Sequence, residues 1–171
     1  MNNEISSSPL TPSLWVVAAD GDQAHFFQAA RVTKALPMSG SGQHQYYEEK
    51  TELELTPLPD GILRAEKLDD YDLGFDKRGS TCHTGEPPQT VHEELKRRFM
   101  RTIAVKLNQD FAKKSFDRLV IVVPAHLLGE IRKHLDPDVM QHVVAELPKE
   151  LVHCDAKELL DHVKSALVSV A

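Results

Sequence analysis

The stretch Asp117–Leu135, DRLVIVVPAHLLGEIRKHL, decides the fold of this chain. Within it, Leu119–Val123 is a run of consecutive apolar residues, most of them β-branched, which is typical of a strand buried on both faces. A proline closes this run, and a helical pattern follows it. Leu14–Asp20 is a second apolar run whose Asp-Gly end leads into further apolar residues, which predicts a hairpin. Together the two stretches predict a mixed α/β domain.

The remaining patterns predict the order βββαβαβα, with Leu119–Val123 beside Leu14–Asp20 near the centre of a five-stranded sheet whose first three strands are antiparallel. The other predicted elements are strands over Ala24–Ala30, Tyr46–Leu55 and His142–Leu147, helices over Thr90–Lys113 and Ala125–Leu135, a short turn capped by Asp136, and a last helix opened by Asp155. We expect a disordered tail over residues 1–13, a single domain over 14–171, and a mobile connection over 56–89 that is rich in proline and glycine.

Composition excludes several classes of protein. The chain has 171 residues, of which 41% are hydrophobic and 27% charged, and its net charge is -6. The negative charge argues against general binding of nucleic acids or anionic membranes, although a local basic surface remains compatible with it. No apolar stretch approaches the roughly 20 residues of a membrane-spanning helix, and the N-terminus does not resemble a signal peptide. Two cysteines are too few for a disulfide framework, so we expect a cytoplasmic protein.

Charge is distributed unevenly along the chain. Residues 43–76 contain ten acidic and three basic residues, whereas residues 92–114 contain seven basic and three acidic ones. On a helical wheel, Arg97 and Arg101 lie opposite the apolar stripe, with Arg98 on its flank; we call these three residues the arginine face. Guanidinium groups match phosphate oxygens, so this face is a candidate contact for RNA or the ribosome. Alternatively, it is a solvated surface paired with the acidic segment, residues 43–76.

Other candidate chemistry is weaker. Cys82, His83 and His92 are close in sequence but lack the spacing of metal ligands. Asp20 ends the first strand, where a nuclease of the ribonuclease-H type carries a metal-binding carboxylate, yet an aspartate in a hairpin turn has a local explanation. The glycines at 40 and 42 lack the lysine of a phosphate-binding loop. We therefore expect no metal, no cofactor and no complete catalytic site.

The chain resembles the bacterial host-attachment proteins, described as "protein required for attachment to host cells". The resemblance covers about residues 14–165 and rests on the order of moderately specific pieces: WVVAADGDQAHFF, DKRG, FMRTIAVKLN, FDRLVIVVPAHLLGEIRKHL and ELPKEL. That family in turn looks like the middle domain of archaeal and eukaryotic class-I release factors, which has a ribonuclease-H-like βββαβαβα arrangement.

The resemblance assigns a role to the stretch before the long helix. In release factors, a Gly-Gly-Gln loop there positions water for peptidyl-tRNA hydrolysis. The equivalent stretch is Lys77–Gln89, which contains Gly79, Gly85 and Gln89 but no Gly-Gly-Gln triplet. This departure argues against peptide release. Lys77 and Arg78 begin the loop and would extend the basic surface of the arginine face.

The leading hypothesis is a non-catalytic cytoplasmic adaptor that contacts the ribosome or structured RNA through the arginine face, Lys77 and Arg78. One alternative is a divergent hydrolase that acts on RNA or peptidyl-tRNA and uses Asp20 or Gln89. Another is a protein-binding module that acts through the acidic segment. An Asp20 isolated from other carboxylates, together with a disordered Lys77–Gln89 loop, would remove the geometric basis of the hydrolase.

Overall fold

The computed structural model describes residues 13–37, 47–65 and 88–170. Its elements are β1 (Leu14–Ala19), β2 (Gln23–Pro37), β3 (Tyr47–Arg64), α1 (Pro88–Ala112), β4 (Arg118–Val122), α2 (Ala125–His134), α3 (Pro137–Gln141), β5 (Val143–Leu147) and α4 (Ala156–Val170). The predicted α/β order is confirmed, and the short turn after Asp136 forms the five-residue helix α3. The predicted tail lies outside the described residues except for Ser13, whose backbone N–H donates to Asp117 Oδ2 at 2.9 Å.

The sheet has the order β3-β2-β1-β4-β5. β1 pairs antiparallel with β2 and parallel with β4, and β4 pairs parallel with β5. Val17 lies opposite Ile121 in the β1–β4 register, and both side chains are fully buried. The predicted central position of β4 beside β1 is therefore confirmed.

Each face of the sheet is covered by its own hydrophobic core. Val17 and Ile121 belong to the core beneath α1, α2 and α3, whereas Val16 and Val120 belong to the core beneath α4. Successive residues of a strand point to opposite faces, so a strand covered on both sides must be apolar at every position. This requirement accounts for the uninterrupted apolar run in β4.

β3 is longer than the sequence predicts. We expected a strand ending at Leu55 and a mobile connection from Thr56, but β3 continues to Arg64. The register shifts between Phe27, which pairs with Pro57, and His25, which pairs with Ile62, so the four residues 58–61 bulge out opposite one residue of β2. The prolines and the glycine in this stretch are residues typical of the end of a strand, and for this reason the sequence predicts that β3 ends at Leu55. The strand resumes because leucines at 58 and 63 pack against the core.

The buried face of α1 is wider than the predicted stripe. Phe99, Ile103 and Leu107 are buried as predicted, whereas the stripe's outer members, at positions 91, 95 and 111, are partly exposed. Met100 and Ala104 are fully buried as well, because α1 packs against α2 as well as against the core on the sheet. In the described part of the chain, no helix has the length and apolar character needed to cross a membrane.

Candidate functional site

The carboxyl ends of the parallel strands β1, β4 and β5 lie at one edge of the sheet. β4 leads into α2, which packs on one face, whereas β5 leads into α4, which packs on the other. Adjacent parallel strands whose following helices diverge leave a crevice at their carboxyl ends, and ligands of open α/β sheets bind in such crevices. The polar groups that follow these strands therefore form the candidate site.

Asp20 stands at this edge, directly after β1. It is the charged residue that the described part of the chain buries, with 9% of its surface exposed. Its Oδ1 accepts hydrogen bonds from the backbone N–H groups of Asp22 and Gln23, each at 2.8 Å. These bonds fix the turn between β1 and β2, which agrees with the local explanation expected from an Asp-Gly turn.

Two side chains from the loop between β5 and α4 approach Asp20. His153 Nε2 lies 3.4 Å from Asp20 Oδ2, and Glu150 completes a group whose ligand atoms all lie within 4.8 Å of one another. The side-chain amide nitrogen of Gln23 lies 3.2 Å from His153 Nδ1. Asp20 is therefore not isolated, so the observation that would have removed the basis of the hydrolase is not met.

The thiol of Cys154, which follows His153 in the sequence, is a weaker nucleophile and metal ligand than an ordinary cysteine. Burial raises the pKa of Cys154, and a hydrogen bond with Glu158 raises it further. A cysteine with a raised pKa is a poor nucleophile and a poor metal ligand at neutral pH, because the thiolate performs both tasks. Cys154 is half-buried and not disulfide-bonded. The polar chemistry at this edge thus belongs to carboxylates and imidazole.

An open groove of about 430 Å³ lies between α1 and α2, beside the same edge. Its lining is Glu93, Lys96, Arg97, His126, Leu127, Gly129, Glu130 and Lys133. The stem of Lys96 lies against Gly21, where a Cβ would approach Lys96 Cγ to 2.5 Å, so the groove borders the turn that holds Asp20. At Gly129 a Cβ would meet no atom within 4 Å. The groove is therefore open to solvent along α2.

The acidic and basic side chains that line the groove do not fully neutralise one another. Lys133 and His134 both contact the Glu130 carboxylate, at 3.0 and 3.2 Å. The hydrogen bond from Lys133, followed by that from His134, lowers the pKa of Glu130. This carboxylate is therefore ionised and already paired within α2. Lys96 and Arg97 face it across the groove and supply positive charge that Glu130 does not neutralise.

The structure places the arginine face at and beside this groove. Arg97 lines it, and all three arginines are exposed. Arg97 and Arg98 lie 3.9 and 3.8 Å from Glu94, beyond normal hydrogen-bond length. Among the described residues, no hydrogen bond or ion pair involves Arg101. Arg97 also lies at the edge of α1 nearest α2, because α2 packs beside α1.

The proposed pairing of these arginines with the acidic segment does not occur where both partners are described. In β2 and β3, Lys34 pairs with Glu54 and Lys50 pairs with Glu52. No ion pair among the described residues joins β3 to α1; positions 66–76 are outside them. Of the predicted loop, Gln89 lies in the first turn of α1. Lys77, Arg78, Gly79 and Gly85 lie outside the described residues.

His153 and Glu150 were not predicted from the sequence, because only the folded chain brings them close to Asp20. Gln23 and His153 are 130 positions apart, and no local spacing links them. The signal that could have found them is topological, since residues following β1 and β5 must meet at one edge once both strands flank β4.

The chain matches the model of a known family. The family model "Protein required for attachment to host cells" matches residues 15–163, which is most of the chain and includes the sheet, the groove and the Asp20 group. A search of curated proteins found no match.

Proposed function

This chain belongs to the family of proteins required for attachment to host cells, and from that premise we propose that it is a non-catalytic adaptor that contacts RNA, free or within the ribosome. The contact surface is the arginine face of α1 together with the groove beside it. The family description names a phenotype and gives no molecular activity.

The observation that carries the proposal is the availability of the three guanidinium groups. Arg97 and Arg98 have side chains 56% and 73% exposed, and both lie within 4 Å of the same glutamate. Exposed pairs of this kind contribute at most about 1 kcal/mol. A phosphate group, which guanidinium binds through two parallel hydrogen bonds, can therefore displace Glu94 at little cost.

The groove supports the same ligand chemistry. Lys96 and Arg97 lie on its α1 side, and Lys133, which pairs with Glu130, lies on its α2 side. The open position at Gly129 leaves room for a nucleic-acid backbone to approach α2. A strand of phosphates that follows the groove would meet Lys96 and Arg97, and such contacts supply most of the sequence-independent affinity for nucleic acids.

The adaptor role, rather than catalysis, rests on the sequence. A release-factor-like hydrolase would need a Gly-Gly-Gln triplet before α1, and residues 77–89 contain none. The likeness to release-factor middle domains nevertheless supports the ribosome as the place where the RNA is met. A hydrolase that acts on RNA is the second candidate, and the grouping of Asp20 with Glu150 and His153 favours it.

Charge reversal tests the proposal. We expect Arg97→Glu with Arg101→Glu to weaken binding to a fluorescent structured RNA and to flatten its salt dependence. The slope of log K against log salt falls by about 0.9 for each phosphate contact that is lost, hence by about 2 for both. Folding should persist, because both side chains are exposed.

The matched control is Lys157→Glu with Lys164→Glu, which makes the same change of charge on α4. α4 packs on the opposite face of the sheet from α1, and both lysines are exposed. The control should retain the wild-type slope. Equal weakening in both double variants would mean that overall charge, rather than the arginine face, governs binding. Wild-type protein without salt-sensitive RNA binding would refute the proposal.

A further inference from the structure

We propose that Asp20, Glu150 and His153 form a binding site for one divalent transition-metal cation at the carboxyl edge of the sheet. The three residues come from the β1–β2 turn and from the β5–α4 loop, which the cation would join.

The first support is the environment of the Asp20 carboxylate. Asp20 is mostly buried, and its Oδ1 accepts hydrogen bonds from two backbone N–H groups. Its Oδ2 faces His153 Nε2 at 3.4 Å and, among the described residues, accepts no hydrogen bond. Oδ2 is therefore the oxygen of Asp20 that is available to a cation.

The second support is the distance between the ligand atoms. Ligands that bind zinc tetrahedrally at about 2.1 Å are separated from one another by about 3.4 Å. Asp20 Oδ2 and His153 Nε2 have this separation already. The carboxylate oxygen of Glu150 lies within 4.8 Å of both atoms. Because this side chain is exposed, a small movement would complete the set of three ligands.

Gln23 provides the outer partner that such a histidine needs. Its side-chain amide lies 3.2 Å from His153 Nδ1, and a half-turn of the amide exchanges its nitrogen and oxygen positions. With the oxygen toward the ring, Gln23 Oε1 accepts a hydrogen bond from the Nδ1–H group and leaves the Nε2 lone pair directed at the cation. Metal-bound histidines are oriented in this way by carbonyl or carboxylate acceptors.

The donor set selects the class of cation. Two carboxylates and one imidazole suit Zn²⁺, Co²⁺ or Mn²⁺ better than Ca²⁺ or Mg²⁺, which favour oxygen ligands alone. Three protein ligands leave a coordination position for water, as in sites that are not purely structural. The group of converging ligand atoms does not include the Cys154 thiol, so the donor set is one of nitrogen and oxygen.

The test is titration of the chelator-treated full chain with Zn²⁺ alone, followed by thermal unfolding and calorimetry. We expect one strongly bound ion per chain and a raised melting temperature, because a ligand that binds only the native state stabilises it. Asp20→Asn keeps an oxygen for the two backbone N–H groups but removes the anionic Oδ2. It should fold normally and lose the Zn²⁺-dependent shift.

His153→Gln should lose the shift as well, and its side chain is 69% exposed, so the variant should fold. Gln23→Ala should weaken binding about tenfold, the effect of removing an outer partner. The control is His162→Gln, which removes a histidine of α4 that lies beside Lys149 and should keep the full shift. A shift that persists in Asp20→Asn, or its absence from wild-type protein, would overturn the proposal.

Co²⁺ provides an independent check on the ligands. A nitrogen and oxygen site should give weak visible bands without the intense near-ultraviolet absorption of a cobalt–thiolate bond. Thiolate absorption would place the cation at Cys82 or Cys154 and would likewise overturn the assignment.

Discussion

Alanine at Gly61 and alanine at Gly129 should change the stability of the domain in opposite directions. Gly61 ends the bulge in β3, where an added Cβ would lie 2.7 Å from the carbonyl oxygen of Leu58 and 2.8 Å from that of Phe26. Both obstacles are backbone atoms, so the strand itself would have to move. Overpacking of this kind costs about 1–3 kcal/mol.

At Gly129, by contrast, the added methyl group meets open space. The residue is exposed within α2, where glycine is about 0.5–1 kcal/mol less favourable than alanine. Gly129→Ala should therefore stabilise the protein by about that amount. For a domain of this size, 1 kcal/mol corresponds to a change in melting temperature of about 2–4 °C.

Thermal unfolding followed by circular dichroism measures both variants under identical conditions. The melting temperature should rise by about 1–4 °C for Gly129→Ala and fall by roughly 2–12 °C for Gly61→Ala. A Gly61→Ala protein as stable as wild type would show that the bulge does not approach Phe26 as closely as described. A destabilised Gly129→Ala protein would show that the groove beside α2 is not open.

Three further predictions use single substitutions. Ile121→Asp should unfold the domain, because an unpaired carboxylate at this fully buried central position costs several kcal/mol; a cooperative melt near the wild-type temperature would contradict the placement of β4. Asp155→Ala should lower the free energy of unfolding by about 1 kcal/mol, because Asp155 Oδ1 accepts a hydrogen bond from the Glu158 N–H at 2.8 Å. Asp136→Ala should lower it less, because Asp136 makes no side-chain capping bond. Equal losses of stability in urea unfolding would refute this difference. Gly129→Glu should weaken RNA binding relative to Gly129→Ala, because it places a negative charge in the groove; equal dissociation constants would exclude the groove from the contact.

The sheet could be predicted from the sequence because its strongest signals are local. The run in β4 is apolar at every position and permits only a strand covered on both faces. The Asp-Gly turn after β1 fixes the antiparallel entry. Together these features decide the neighbours of β1 and β4, and the structure agrees with them.

The errors arose where tertiary contacts override local patterns. β3 continues past its prolines because Leu58 returns to the core, which no turn rule anticipates. The buried face of α1 includes Met100 and Ala104 because α2 packs beside it, and this contact moves Arg97 to the edge of a groove. The approach of His153 to Asp20 depends on two distant loops that meet at one sheet edge.

The most direct test of the proposed function is co-sedimentation of the wild-type protein with ribosomes at two salt concentrations, about 50 and 200 mM. If the three arginines each contact one phosphate, we expect binding at the lower concentration and an affinity about 40-fold weaker at the higher one. The Arg97→Glu and Arg101→Glu protein should stay in the supernatant at both concentrations. Binding that is unchanged by salt would instead indicate a protein partner, for which the acidic segment is the candidate surface. Absence of wild-type protein from the ribosome pellet at low salt would contradict the ribosome contact.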